Sequence, residues 1–230
     1  MSAAIVWIVL PALIAFLLYA LRRWERTIHW IGLATCLVLA LLAWLLPINE
    51  PIALGIPNMP SLRLADTLQI YGRQLVIGNE EKPILMLVYL GIGLWLGGAY
   101  IARVQRLLVP LSLGIAATLT ATLVIDPILY SALLVAATAL LCVGILSPPG
   151  HAMQSGVLRF LSFQIIGMCF ILLADWMLKL LLVNPNDTSP LAPATLLFGM
   201  GFALAGGLLP FHTWIPMLLE DSHPYAATFV

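Results

Sequence analysis

The chain has 230 residues, 62% of them apolar and only 9% charged, against about 45–50% apolar for an ordinary soluble domain. Ten basic and ten acidic side chains cancel, so there is no basic patch to suit a nucleic acid. Cys36, Cys142 and Cys169 lie far apart in apolar stretches without CxxC spacing, and no nucleotide-binding glycine loop or iron–sulfur cysteine cluster occurs. The cysteines therefore read as small buried apolar residues, and the chain is expected to hold no cofactor and no metal.

Several apolar runs reach the roughly 18 residues that mark a bilayer-crossing helix. The pattern predicts an all-α polytopic transmembrane bundle of about seven spanning helices, with a broken seventh and the start of an eighth. Ser2 to Leu21 is the first span. Its basic flank, Arg22-Arg23-Trp24-Glu25-Arg26, follows the apolar stretch, whereas a signal peptide carries its charge ahead of it. The N-terminus is thus expected outside and this turn in the cytoplasm, with Trp24 and Trp30 as interfacial anchors. Ile28 to Leu46 returns outward. Residues 47–82 form the one long polar connection, kept irregular at first by Pro47, Pro51, Pro57 and Pro60. The stretch 61–78 then alternates enough for short strands, with a hairpin turning near Tyr71-Gly72. Arg63, Asp66, Arg73, Glu80, Glu81 and Lys82 mix signs there and carry no evident chemistry.

Pro83 to Ile101 is the third span, with Gly91, Gly93, Gly97 and Gly98 offering a small-residue face. Arg103 and Arg106 mark an inner turn. Leu107 to Ile125 is the fourth span and Pro127 to Leu146 the fifth. Asp126 reads as an N-cap ahead of a first-turn proline, with a proton-loading carboxylate as the alternative. Residues 147–156 form an inner loop carrying on to Arg159. Gly156 to Val183 is long enough to tilt or to project from the bilayer. On it Asp175 and Lys179 stand one turn apart and can pair. They lie toward the outer end, where the lysine can snorkel; the alternative is an ionisable site facing the bundle. Residues 184–190 form an outer loop. Six basic residues fall at inner turns and four outside, three of those four in the long loop, as the predicted orientation requires.

The final stretch, Leu197 to Val230, is the most informative. An apolar helix runs into Pro210, His212, Trp214 and Pro216; Glu220, Asp221, His223 and Pro224 follow. Proline at membrane depth removes an N–H and clashes with the preceding turn. Backbone broken there is tolerated only under protein or water, and such breaks often mark ion paths. One reading is a helix that ends at the surface in a proline-capped loop; the other, expected here, is that Pro210 and Pro216 enclose non-helical backbone beside a buried polar pocket containing His212. There the imidazole either satisfies a freed carbonyl or relays a proton.

GFALAGGLLPFHTWIP followed by HPYAAT resembles the seventh-helix signature of the antiporter-like, proton-conducting membrane subunits. These occur in respiratory NADH–quinone oxidoreductase, membrane-bound hydrogenases and multi-subunit sodium/proton antiporters. Gly201, Phe202, Gly207, Pro210, His212, Trp214, Pro216, Pro224 and Ala227 fall in step with the family pattern. The resemblance implies a subunit associated with quinone-linked proton translocation, itself redox-inactive, in a bacterial inner membrane among other membrane subunits. It implies leading helices over 1–106 and most of a five-helix repeat over 107–230, the N-terminal half of a family member. The chain is therefore expected to be a fragment, a split gene product, or one completed by a neighbouring subunit. His212, Asp175, Lys179, Glu220 and Asp221 become the candidate proton path, and Pro210, Pro216 and Pro224 the helix breaks. Two departures matter. Ala205 stands where the family carries its helix-seven lysine, and the place of its helix-five glutamate falls near Val135. The expected role is then degenerate and structural.

Overall fold

The computed structural model describes residues 2–21, 24–49, 51–52, 62–70, 72–102, 104, 107–147, 150, 153–183 and 189–230. Arg22, Arg23, Arg103 and Arg106, on which the orientation rests, lie outside these, as do Pro57, Pro60, Tyr71 and the 184–188 connection. The chain forms two compact units, Met1–Pro127 and Ile128–Val230.

In the first unit a π-helical turn, Ile5–Val9, runs into α1 (Leu10–Ala20), followed by α2 (Glu25–Leu45), α3 (Lys82–Ile101) and α4 (Leu108–Val124). Helix α2 packs mainly on α3, and α1 on α4. The buried positions of α2 include Ile28, Gly32, Cys36, Leu39, Ala40 and Ala43, and those of α3 include Leu85, Tyr89, Ile92, Leu96 and Ala99. Both sets follow the three-and-four spacing of a helix face. The opposite faces are equally apolar: Leu37, Val38 and Leu41 on α2 and Leu87 and Leu94 on α3 stand exposed. Helices apolar all round belong in lipid.

The π-helical turn displaces the backbone hydrogen-bond ladder, and Trp7 uses the opening. Its indole N–H donates to the Leu39 carbonyl (3.2 Å), and its own carbonyl accepts the Tyr89 hydroxyl. Trp7 and Tyr89 are both fully buried. Three helices are tied together by two polar contacts that water cannot replace.

The hairpin follows the alternation expected over 61–78, but the proline-rich first half, expected to be irregular, also supplies a two-residue strand. β1 (Pro51–Ile52) pairs with β2 (Leu62–Arg63), and β3 (Thr67–Ile70) pairs with β4 (Arg73–Val76) in an antiparallel hairpin. Gly72 takes φ +75° in the turn, a conformation glycine reaches without strain. Asp126 departs from expectation. With Ile125 it forms β5, which pairs with β4 through Gln74↔Asp126. It is therefore an exposed strand residue, and the next helix begins at Ile128. The small-residue face of α3 is also narrower than predicted. A Cβ at Gly93 would sit 3.2 Å from the Cys36 Cβ, but Gly91 and Gly97 face open space.

The second unit contains α5 (Ile128–Leu146), α6 (Ser155–Val183), α7 (Leu191–Ala205), a 3-10 turn (Phe211–Thr213), α8 (Trp214–Asp221) and α9 (Pro224–Ala227). The all-α bundle is as expected, since the strands are at most four residues long. The expected seven spans are not all met by single helices. Among the described residues four helices are long and apolar enough to cross a membrane: Arg26–Leu45, Lys82–Ile101, Leu129–Leu146 and Ser155–Leu181. Ile5–Ala20, Leu108–Val124 and Leu191–Ala205 are apolar but shorter. The third is short because its sequence stops it.

Candidate functional site at the interrupted helix

Helix α7 ends in a motif written by two glycines. The Leu208 N–H donates to the Ala203 carbonyl (2.9 Å), and the Gly207 N–H to that of Leu204 (3.3 Å). Gly207 itself takes φ +62°. This is the paired-bond Schellman end, with a left-handed residue just past the helix. Pro210 follows within the range where a proline forbids restarting the same helix. The chain then makes a 3-10 turn and enters α8 at Trp214.

The interruption does not separate α7 and α8 from their common partner. Reading α6 from its start, Gly156 lies against the backbone of Met217 and Leu218. The Phe160 ring sits 5.1 Å from that of Trp214, and Phe163 6.4 Å from Phe211. Gln164 reaches Ala205, and Gly167 meets Gly201. One antiparallel track thus runs along α6 from α8 to α7, with 206–210 looped out where Gln164 stands. The Gln164 Nε2 donates to the Ala205 carbonyl at 2.8 Å, one of the acceptors that the end of a helix leaves free. At the crossing, a Cβ on Gly167 would come 2.8 Å from the Gly201 carbonyl oxygen. One on Gly201 would come 2.9 Å from the Gly167 oxygen. The two backbones touch because both side chains are hydrogen.

The expected pocket around His212 is not formed. His212 is exposed on the 3-10 turn. The buried polar groups at the break are the Gln164 amide and the Trp214 indole N–H, and the latter has no hydrogen-bond partner among the described residues. The freed carbonyl goes to glutamine on the neighbouring helix, not to histidine. The prolines are also placed differently. Non-helical or 3-10 backbone spans 206–213, so Pro210 lies within it, but Pro216 is the third residue of α8. Pro224 is the first residue of α9. Both occupy first-turn positions, where a missing N–H costs nothing.

The acidic candidates separate. Glu220 is exposed near the end of α8. Asp221 Oδ2 accepts the Gly156 N–H (2.7 Å) and the Ser155 hydroxyl (3.2 Å). It is a cap supplied from α8 to the N-terminus of α6, where a negative charge is favoured. Asp175 and Lys179 do pair, with Oδ2 2.7 Å from Nζ. Among the described residues that oxygen has no partner at hydrogen-bond angles, so its contact with Lys179 is one of charge. The carboxylate side chain is 9% exposed and the lysine 49%. The pair lies on α6 well beyond the break, and Val135 is half-buried on α5. The structure therefore does not gather His212, Asp175 and Asp221 into one site. Gln164, which sequence reading passed over, is the polar side chain at the interruption. Its signal was a lone amide in an apolar run opposite a predicted break. No family model, curated protein or solved structure matches the chain.

Proposed function

We propose that this chain is an antiporter-like membrane-arm subunit of an NADH–quinone oxidoreductase-type complex whose own proton path is degenerate, so that it serves assembly and not pumping. The observation that carries the reading is the interrupted helix. GFALAGGLLPFHTWIP breaks at Gly206–Pro210, and no lysine, aspartate or glutamate lies between Leu191 and Leu219. A proton carrier in the bilayer needs a group whose charge changes, held by a partner that moves its pKa. Ala205 and Val135 cannot titrate, and His212 is exposed on a turn with no charged partner among the described residues. In liposomes containing the purified complex, neither His212→Ala nor Asp175→Asn should change proton pumping while assembly survives. Pumping that is normal in the parent and lost in either variant rejects the reading and assigns a rebuilt path, for which the buried Asp175 carboxylate is the starting point. A subunit of a multi-subunit sodium/proton antiporter or a membrane-bound hydrogenase carries the same signature. Neighbouring genes for small antiporter subunits, without a quinone-binding one, would move the assignment there.

The same reading gives the chain seven crossings. The 15 residues of α7 cover about 22 Å at 1.5 Å per residue, too little for a hydrocarbon core of roughly 30 Å. With α8 they line α6 from Gly156 to Ile171, and α7, the break and α8 count as one span. Exposed aromatics mark the borders. Trp24 and Trp30 stand at one end of α2 and Trp44 at the other, and Trp24 to Trp44 covers roughly 30 Å of helix. The N-terminus is outside, and single cysteines at Ser2 and Gly150 in a background without native cysteines should label from opposite sides. Labelling from one side rejects the topology. Other membrane subunits are its partners, and purification from mild detergent should recover it with them. A folded, monodisperse monomer would count against that.

A further inference from the structure

We propose that the end of the first unit beside the long connection holds a glycerophospholipid, with its phosphate on Lys82 and the top of an acyl chain against Trp44 and Pro83. This goes beyond the assignment of a membrane arm and does not depend on it. An open cavity of about 270 Å³ lies where α2 ends and α3 begins, lined by Ala43, Trp44, Asn79, Lys82 and Pro83. Three observations at this cavity agree on one occupant.

The first is the charge that is left over. The Asn79 amide is used up locally, accepting from the Ile48 N–H (3.2 Å) and donating to the Ile48 carbonyl (3.3 Å). The Glu81 carboxylate is turned to the Gly78 N–H at 2.7 Å, and Glu80 is exposed. Lys82 is half-buried and makes no ion pair or hydrogen bond among the described residues. A part-covered ammonium with no counter-charge favours an anion beside it. The second is the wall. The exposed Trp44 and Pro83 are apolar, and a free phosphate would leave that surface in contact with water, at a cost that scales with its area. The third is depth. Trp44 is the second-last residue of α2 and Pro83 the second of α3, and Trp44 is 69% exposed. An indole at the end of a crossing helix sits at headgroup level. An amphiphile with one anionic group over an apolar body satisfies all three together.

The test is native mass spectrometry of the delipidated protein, with its natural partners where they co-purify, titrated with phosphatidylglycerol. One lipid should remain bound under activation that strips detergent. Lys82→Gln should weaken its retention about tenfold, the loss of one charge-assisted contact, and Lys82→Arg should keep it. Trp44→Ala should weaken it as well. Diacylglycerol with the same chains should not be retained, and millimolar glycerol phosphate should not displace the lipid. Unchanged retention in Lys82→Gln overturns the proposal. Glycerol phosphate binding that equals the lipid's overturns it in favour of a free-phosphate site. Lys82 lies at a helix end with no interactions to lose, so the variants should fold; matched unfolding temperatures without lipid, and a lipid-induced rise only in parent and Lys82→Arg, check this independently.

Discussion

Gly201→Ile should leave the second unit unable to close. A Cβ at 201 already stands 2.7 Å from the Ile171 Cγ1 and 2.9 Å from the Gly167 carbonyl oxygen. The rest of an isoleucine side chain could enter only if α7 withdrew from α6 along their whole contact. Overpacking a well-fitted interior typically costs about 1–3 kcal/mol. Here one of the obstructing atoms is backbone that cannot change rotamer, so the loss should exceed that range. Gly199→Ala is the matched control, because nothing lies within 4 Å of a Cβ there. It should stabilise α7 by up to about 1 kcal/mol through helix propensity alone. A thiol-reactive dye can follow both, since Cys142 on α5 is buried in the folded unit. In a Cys36→Ala, Cys169→Ala background, Gly201→Ile should react at a much lower temperature than the parent and Gly199→Ala at the same or a higher one. Equal unfolding temperatures for the two variants would mean that the glycine contact does not hold α6 to α7.

Much of the scaffold was legible because membrane helices declare themselves by composition. All seven apolar stretches became helices, and their ends moved by only a few residues. The hairpin beside Gly72 was readable from alternation and a turn glycine, and the break near Pro210 from proline in an apolar run. What escaped had non-local causes. Asp126 looked like a cap because the residues that pair with it, on β4, lie some fifty positions earlier. Asp221 looked like an acid near a proton path because nothing local revealed that the first turn of α6 would come to it. His212 was expected to turn inward because the break was assumed to need a histidine. The Schellman end satisfies two carbonyls with backbone alone, and Gln164, 41 positions away, takes another. Sequence pattern located the interruption; packing decided which side chain serves it.

Gln164→Leu should be the most damaging change that removes no volume of consequence. Gln164 is 7% exposed, and its amide donates to the Ala205 carbonyl at 2.8 Å. Leucine fills similar space but leaves that acceptor unpaired. A buried polar group stripped of its partner costs about 1–3 kcal/mol in a protein interior, and several kcal/mol where only hydrocarbon surrounds it. The dye measurement on Cys142 should report a loss in this range. Gln164→Glu separates the hydrogen bond from shape. A protonated glutamic acid can donate to the Ala205 carbonyl, and an ionised one cannot and would place a charge in a poorly hydrated position. The protonated side chain therefore suits this position and the ionised one does not. Gln164→Glu should approach the parent's unfolding temperature in acid and fall toward that of Gln164→Leu at neutral pH, with the parent and Gln164→Leu separated by a constant interval throughout. If Gln164→Leu unfolds with the parent at every pH, the carbonyl at the break finds its donor elsewhere and the interruption is not held by α6.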